Sequence, residues 1–423
     1  MFGNEDPYKT YFDRAPLAER LLATTALRIE LPTGQHNLAV ERYESVRTYI
    51  ERKDSPLHGL VNCFYPQGSM AIRATIRARQ REDGYDIDIV AELDLPADTP
   101  PARVLDLLYE AINGEKGSRY HGMTERQTRC VTIYYADGMH LDVTPSVLLA
   151  EDDPRRSRIF HAKPEEPVSA HTSKTMNSFA FCEHFNDGAP VDTDFARAYR
   201  ELAHSFEALV KADADVHPVP AHSTEEGGKS AKVVALQLMK RNRNIRYQSR
   251  KHMRMPPSVM LSCLASQLDL VGASLLMALE RLSAHVLATL EASERADNIL
   301  DIRNPKCAED RFTDRWPENR AALRLYIQDL TLFRSQLTLL AAGKLNLAQM
   351  KDLLSAMFGE KLTNVVIDDY AEELGSMIKQ GDRTHSSTGR VTPVRVAAAA
   401  IASPAIARRH TFYGGRLPDD QID

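Results

Sequence analysis

The first hundred residues switch between helix-like and strand-like hydrophobic patterns. Apolar residues recur at helical spacing through residues 15–54, in two runs that Pro32-Thr33-Gly34 separates. Residues 61–65 predict a short strand, a Gly68-Ser69 turn follows, and residues 70–76 are expected to open a helix. Two N-terminal helices should therefore precede a β-rich region.

A second β-rich region is predicted between residues 85 and 144. Strand-forming residues run from Gly84 to Leu95, and residues 102–113 repeat at helical spacing. Residues 128–135 and 139–144 flank Asp137-Gly138, a dipeptide typical of a hairpin turn. We expect Pro145 to end the return strand, because proline has no backbone N–H to donate.

The pattern becomes mostly helical from Gly228 onward. Residues 151–227 are irregular, with one helix predicted over 195–212, and residues 381–423 are rich in Ser, Thr, Pro and Ala. The predicted helices of the C-terminal half cover residues 229–244, 257–270, 271–293, 318–342, 347–358 and 364–380. We therefore expect an α+β core (1–227), a helical lobe (228–380) and a loosely attached tail (381–423).

Composition narrows the class of protein. With 423 residues, 43% hydrophobic content and a net charge of −5, the chain fits a globular protein whose surface is not built to coat nucleic acid. Five scattered cysteines form no CxxC pair, which argues against a disulfide framework or zinc ribbon. The N-terminus lacks signal-peptide features, and the longest uncharged apolar stretch, 270–279, is too short to span a bilayer. These features predict a cytoplasmic protein.

Two aspartates share one face of a predicted strand. Asp86 and Asp88 alternate with Ile87 and Ile89, so both carboxylates should project from the same side. Like charges held this close are unfavourable unless a cation lies between them, and Mg²⁺ prefers carboxylate and phosphate oxygens. The Gly68-Ser69 turn just upstream offers free N–H groups, a hydroxyl and close backbone approach, which suit a phosphate.

A third aspartate, Asp142, lies on the predicted return strand. It shares a face with His140 and Thr144, while Leu141 and Val143 occupy the other face. Taken alone, Asp142 is better explained by a solvent-facing strand position. Together with Asp86 and Asp88 on a neighbouring strand, it predicts a site for two divalent metal ions.

Two other stretches resemble functional motifs and have simpler interpretations. Residues 225–230 end like a phosphate-binding loop, but the pattern requires glycine where Ser223 stands, so we interpret them as a helix start. The basic run 240–246 ends a predicted helix, where cations favour the helix dipole, and its composition alone does not indicate phosphate contact.

The set formed by Gly68-Ser69, Asp86-x-Asp88 and Asp142 resembles the polymerase-β-type nucleotidyltransferases. More narrowly, it resembles the CD-NTases, the cGAS/DncV-like enzymes of CBASS anti-phage operons. Residues 236–241, 256–259 and 303–316 also resemble elements of that family, although Asp310 stands where the family often has Asn. The similarity covers about residues 40–380.

This resemblance implies a polymerase-β-like core of mixed sheet and helices, with the active site between that core and the helical lobe. It implies metal-binding and catalytic roles for Asp86, Asp88 and Asp142, with two Mg²⁺ ions or Mn²⁺ as a substitute. The nucleotide-binding residues it implies are Gln67, Gly68, Ser69, Lys240 and Ser258.

The implied activity joins two or three nucleoside triphosphates into a cyclic second messenger, with release of pyrophosphate. ATP is the expected substrate, GTP or another nucleotide is the alternative, and nucleic acid is not required. Operon proteins are candidate partners of the tail. Two other functions stay open: a nucleotidyltransferase acting on RNA 3′ ends or a protein hydroxyl, and a non-catalytic scaffold.

Overall fold

The computed structural model describes residue 12 and residues 15–31, 33–77, 85–149, 155–210, 228–379, 383–385 and 391–393. Its contacts divide the chain into two compact units, residues 1–370 and 371–423. The first unit contains a mixed β-sheet and most of the helices, as the α+β prediction requires. The boundaries expected at 227/228 and 380/381 stay predictions.

Most predicted elements are present, with differences at their ends, but the sequence analysis missed the helix Ser178–Asp187 and several short strands. Residues 157–187 are therefore not irregular as predicted, because they contain two of those strands and that helix. The helices are α1 (Leu17–Ile29), α2 (Thr33–Ile50), α3 (Gly68–Ala71), α4 (Pro101–Asn113), α5 (Ser178–Asp187), α6 (Thr193–Val210), α7 (Ala231–Arg246), α8 (Ser258–Ser266), α9 (Leu275–Arg295), α10 (Arg320–Ala341), α11 (Leu347–Phe358) and α12 (Glu360–Lys379). The strands are β1 (Val61–Pro66), β2 (Tyr85–Leu93), β3 (Thr124–Arg126), β4 (Val131–Tyr134), β5 (Met139–Leu148), β6 (Ser157–His161), β7 (Thr172–Met176), β8 (Arg303–Asn304), β9 (Cys307–Arg311), β10 (Arg383–His385) and β11 (Val391–Pro393).

The main sheet brings the two predicted acidic strands together. Its strand order is β1-β2-β5-β4-β3, and β6 pairs with β5 and continues to β7. Strands β2 and β5 are parallel, with Asp88 opposite Asp142, while β4 and β5 are antiparallel, with Thr132 opposite Asp142. The central pair of the sheet therefore carries the candidate metal ligands side by side.

Pro145 does not end the return strand, so that prediction was wrong. Strand β5 continues to Leu148, with Pro145 opposite Ala91 of β2. Residues 140–143 pair with β4, whereas residues 146–148 pair with β6. Pro145 therefore lies where the partner strand changes, so its missing N–H costs no ladder hydrogen bond on that side.

The two faces of this sheet have different roles. Ile87, Ile89, Leu141 and Val143 are buried in an apolar core beneath α2 and α4. Asp88 and Asp142 are half-buried on the opposite face, as strand alternation requires. Because the first face supplies the core contacts, the second can carry charged groups.

A larger apolar core is built from helices, and it draws on elements from both ends of the chain. It joins α1, α5 and α6 to α7 and to the C-terminal helices. Glu19 of α1 accepts backbone hydrogen bonds from Leu275 and Leu276 at the start of α9. Its carboxylate caps the α9 N-terminus, where a negative charge is favourable.

The helix expected over residues 70–76 is only the single turn α3. Arg73 has φ 55°, a left-handed conformation that ends the helix, and residues 74–77 are not helical. Over the residues that the structure describes, none of the helices has the length and apolar composition needed to cross a bilayer. The second unit includes a short antiparallel hairpin of β10 and β11.

Candidate active site

The Gly-Ser turn lies against the strand that carries the paired aspartates. The Gln67 N–H donates to the Asp88 carbonyl at 2.8 Å, and Gly68 follows with φ +61°. A Cβ added to Gly68 would lie 2.6 Å from Asp88 Oδ2. Glycine is required here for its left-handed backbone and for the close approach of the turn to the carboxylate.

The segment after the turn is held by helices of the larger core. The Ser69 carbonyl accepts from the Ala74 N–H at 2.9 Å, and Thr75 Oγ1 donates to Ser69 Oγ at 3.3 Å. From α7, Lys240 Nζ donates to the Ala74 carbonyl at 2.7 Å and Gln237 donates to the Thr75 carbonyl at 2.9 Å. The candidate phosphate-binding turn is therefore fixed against α7.

Asp142 is fixed by its neighbour across the sheet. Thr132 Oγ1 donates to Asp142 Oδ1 at 2.5 Å. Burial raises the pKa of Asp142 above its ordinary value, and the Thr132 hydrogen bond opposes this rise only in part. Because Asp142 is half-buried and lies beside Asp88, a cation bound between the two carboxylates would stabilise their charged forms.

The third predicted ligand, Asp86, is described only by its backbone. It pairs with His140 in the parallel β2–β5 ladder, and its side chain lies outside the described part of the structure. Among the side chains that are described, no three His, Cys, Asp or Glu groups are arranged to hold a metal ion. Asp88 and Asp142 are thus the described pair of the predicted triad.

A single cavity of about 860 Å³ contains most of the predicted nucleotide site. This size is typical of small-molecule sites. The predicted residues that line it are Gln67, Gly68, Ser69, Asp88, Lys240 and Ser258. The turn after β1 supplies the first three, strand β2 supplies Asp88, and the helices α7 and α8 supply the last two. The cavity therefore lies between one edge of the sheet region and these helices.

Lys240 is buried at the base of this cavity. Burial, and then the positive charge of Arg243, lower the pKa of Lys240 to about 7, and Asp88 opposes this decrease only in part. A lysine in this environment gains most from an anion that enters the cavity. The structure therefore favours the phosphate-contact interpretation for Lys240, while Arg241 and Arg243 of the same basic run bond to backbone carbonyls.

The structure also explains the sequence that resembles a phosphate-binding loop. Ser230 caps α7 by accepting from the Val233 N–H, so the described end of this stretch, residues 228–230, leads into a helix start as predicted. Lys229 is buried and forms an ion pair with Glu30 at 2.7 Å, and Tyr199 donates to the same carboxylate. Its ammonium is therefore engaged away from the candidate site.

Sequence reasoning assigned no role to several charged residues that line the cavity. Arg129 and Lys174 both pair with Asp314, at 2.9 and 2.6 Å, across the space between sheet and helices. Asp310 accepts from Asn304 Nδ2 at 3.0 Å and from the Asn177 N–H at 3.3 Å. Asp310 and Asp314 lie within residues 303–316, whose resemblance to the family could have indicated a role for them. No local sequence pattern distinguished Arg129 or Lys174.

Comparisons with known proteins show which proteins this chain resembles in sequence and fold. The Second Messenger Oligonucleotide or Dinucleotide Synthetase domain matches residues 20–157. The cyclic dinucleotide synthase CdnG of Bradyrhizobium diazoefficiens is 37% identical over 416 residues, which cover 97% of each protein. The solved structure of that CD-NTase in complex with GTP is 39% identical with a TM-score of 0.71, covering 84% of this chain and 99% of the other.

The chain belongs to the CD-NTase family. Escherichia coli MS115-1 CdnC with ATP has the same fold, with a TM-score of 0.51 at 16% identity over 81% of this chain and 97% of the other. The predicted fold, a nucleotidyltransferase core with a helical lobe and a site between them, is confirmed. This CD-NTase is a nucleotidyltransferase that makes cyclic oligonucleotides, as the sequence resemblance implied.

Proposed function

We propose that this CD-NTase joins two nucleotides into a cyclic dinucleotide, that GTP is one of its substrates, and that catalysis requires two Mg²⁺ ions. The observation that carries the proposal is the parallel pairing of Asp88 with Asp142 directly beside the Gly68 turn. The similarity to a cyclic dinucleotide synthase over 97% of each chain supports a product made of two nucleotides.

The donor set fits divalent metal ions that prefer oxygen ligands. Asp88 and Asp142 are adjacent carboxylates with limited exposure, and Asp86 precedes Asp88 on the same strand. These three residues would hold Mg²⁺, with Mn²⁺ as a substitute. When bound, a pair of such ions neutralises charge on the transferring phosphate and on the attacking and leaving oxygens.

The residues of the chain supply binding, orientation and proton transfer. Gly68 and Ser69 present backbone N–H groups and a hydroxyl to the triphosphate, and Lys240 and Ser258 approach it from the helical side of the cavity. Asp142 would accept the proton of the attacking ribose hydroxyl, and its hydrogen bond from Thr132 supports this role by fixing the carboxylate. The linear intermediate then binds in the reverse orientation. A second nucleotidyl transfer closes the ring and releases a second pyrophosphate.

Asp310 supports GTP as a substrate. Its carboxylate lines the cavity, and the Asn304 amide and the Asn177 N–H fix one of its oxygens. Guanine offers two adjacent donors, N1–H and the 2-amino group, to a carboxylate, whereas adenine presents an acceptor at N1. A fixed carboxylate therefore favours guanine over adenine. The use of ATP, expected from the sequence, stays a prediction.

The cellular role is proposed from the family. The resemblance implies a second messenger in anti-phage defence of the CBASS type, with operon proteins as partners of the tail. Most of the tail, residues 381–423, lies outside the described residues. The tail's role as a docking site therefore stays a prediction.

A product assay tests the proposal. The purified protein is incubated with Mg²⁺ or Mn²⁺ and each nucleoside triphosphate singly, in pairs and all together, and phosphatase-resistant products are identified by mass spectrometry. We expect a cyclic dinucleotide that contains guanine, and no product from Asp88→Asn or Asp142→Asn. Products that are only linear, or equal yields from these variants, would contradict the proposal.

A further inference from the structure

Arg243 is a buried arginine beside the candidate triphosphate site. Its side chain is almost fully buried, and its guanidinium donates to the Pro256 carbonyl at 2.8 Å and to Ser258 Oγ at 2.9 Å. A further acceptor is the Asn244 side chain, at 2.8 and 3.1 Å. Among the described residues, the charged state of this guanidinium is opposed by burial and favoured only by Tyr326 and Tyr247, with no carboxylate partner. A buried charge without an acidic partner needs a structural or functional explanation.

Its contact with Ser258 links Arg243 to the cavity. Ser258 lines the cavity and is the first residue of α8, whose cap residue Pro257 makes no side-chain hydrogen bond. Because Ser258 Oγ accepts from Arg243, its own O–H is free to donate in another direction. The guanidinium also donates a hydrogen bond to the Pro256 carbonyl. It therefore fixes both the Ser258 side chain and the backbone where α8 begins.

Two further positive groups reinforce the same region. The first N–H groups of α8 have no partner within the helix and carry its positive dipole end. Lys240, one helical turn before Arg243 on α7, lines the same cavity. Three sources of positive potential therefore lie at or directly behind the lining of this cavity.

We propose that Arg243 is a positioning residue for nucleotide binding, which orients Ser258 and the start of α8 toward a phosphate of the substrate. Its uncompensated charge adds to the field that attracts this phosphate. The proposal rests on the proposed function, because it assumes that a nucleoside triphosphate occupies this cavity. Arg243 acts through Ser258 and does not itself line the cavity.

The test is a double-mutant cycle with a neighbouring arginine as control. Arg243→Lys keeps the positive charge but removes the planar guanidinium that contacts the Pro256 carbonyl and Ser258 Oγ. Ser258→Ala removes the hydroxyl. Arg241 is a matched control because it is buried on the same helix and donates to the Phe358 carbonyl, away from the cavity. The readouts are the Kd of a nonhydrolysable GTP analogue with Mg²⁺, KM and kcat, and the thermal midpoint of each variant.

We expect Arg243→Lys and Ser258→Ala each to raise Kd and KM about tenfold, the usual scale for loss of a hydrogen bond to a charged group. In the Ser258→Ala background, Arg243→Lys should raise Kd by less than about a further twofold, because both substitutions remove the same interaction. Arg241→Lys should leave Kd within about twofold. Ser258→Thr, which keeps the hydroxyl, should bind more tightly than Ser258→Ala.

The outcomes separate this inference from the proposed function. If effects of Arg243→Lys and Ser258→Ala multiply, or if Arg241→Lys weakens binding equally, Arg243 has only a structural role. If the wild-type protein itself does not bind the analogue, the proposed function fails instead. Should Arg243→Lys fail to fold, Arg243→Gln, which keeps an N–H donor, takes its place in the cycle.

Discussion

Gly68 lies so close to Asp88 that a single added methyl group would meet the Asp88 carboxylate. A Cβ at position 68 would be 2.6 Å from Asp88 Oδ2, well inside van der Waals contact. The turn that is proposed to bind phosphate and the strand that is proposed to bind metal are therefore packed as one unit. The first prediction follows from this contact.

Gly68→Ala should lower kcat/KM by about 100-fold or more, because displacing a catalytic carboxylate by even 1 Å has an effect of that order. Gly59→Ala is the matched control, since Gly59 has φ +71° and no atom within 4 Å of an added Cβ. Both variants carry the same left-handed strain, and only the first moves Asp88. Initial rates of product formation measure the difference, and equal losses in both variants would refute the contact-based explanation.

Thr132→Val should lower kcat about tenfold with little change in KM. The substitution keeps the shape of the side chain and removes the hydrogen bond to Asp142, which is made to a charged acceptor and is worth about 1.5–3 kcal/mol. Thr132→Ser should retain most of the activity, because it keeps the hydroxyl. Steady-state kinetics of the three proteins test this, and a Ser variant as impaired as the Val variant would argue for a packing effect.

Nucleotide affinity should decrease as pH rises above about 7. The pKa of Lys240 is lowered to about 7 in the nucleotide-free protein, first by burial and then by Arg243. A bound triphosphate stabilises the charged ammonium and raises this pKa, so binding takes up a proton when the pH exceeds the free value. The affinity should then fall by up to about tenfold per pH unit between pH 7.5 and 9.

Calorimetric titration in buffers of different ionisation enthalpy measures this proton uptake directly. Lys240→Arg is the control, because a guanidinium stays charged across the range and should flatten the pH dependence. A wild-type affinity that does not change between pH 7.5 and 9 would show that Lys240 remains charged in the free protein.

Lys229→Met should lower the free energy of unfolding by about 3–5 kcal/mol, the scale for breaking a buried ion pair. The substitution leaves the buried Glu30 carboxylate without its ammonium partner at 2.7 Å. Adding Glu30→Gln should recover part of the loss, since it removes the unpaired charge. Denaturant unfolding measures both effects, and nucleotide affinity of the folded variant should stay near the wild-type value if Lys229 has no role in phosphate binding.

Local chemistry made several parts of the site predictable. A positive-φ glycine followed by serine, and aspartates at alternate positions of a strand, depend on backbone conformation within a few residues. The same holds for the N-cap at Ser230. By contrast, residues 70–76 were predicted as a helix because their pattern does not show that α7 binds the carbonyls of Ala74 and Thr75 in a non-helical conformation.

Pro145 shows the same limit in the sheet. Its residue type predicts a strand end, yet the strand continues because its hydrogen-bonding partner changes at that position. Arg243 is a third example. Composition suggests a cation that favours the dipole at a helix end, whereas the fold buries the side chain and directs it to Ser258. In each case the deciding interaction joins segments that are distant in the chain.

The sequence by itself determined the chemistry of this CD-NTase: a turn suited to phosphate, and aspartates suited to Mg²⁺ on strands of an α+β core. Only the tertiary structure decided that Asp88 and Asp142 are neighbours in a parallel ladder, and that α7 lies behind the turn. The physical reason is the distance along the chain between the residues that interact. Turn geometry and strand alternation are set by neighbouring residues, whereas strand register and side-chain burial are set by packing between distant segments, such as Lys240 and Ala74, 166 positions apart.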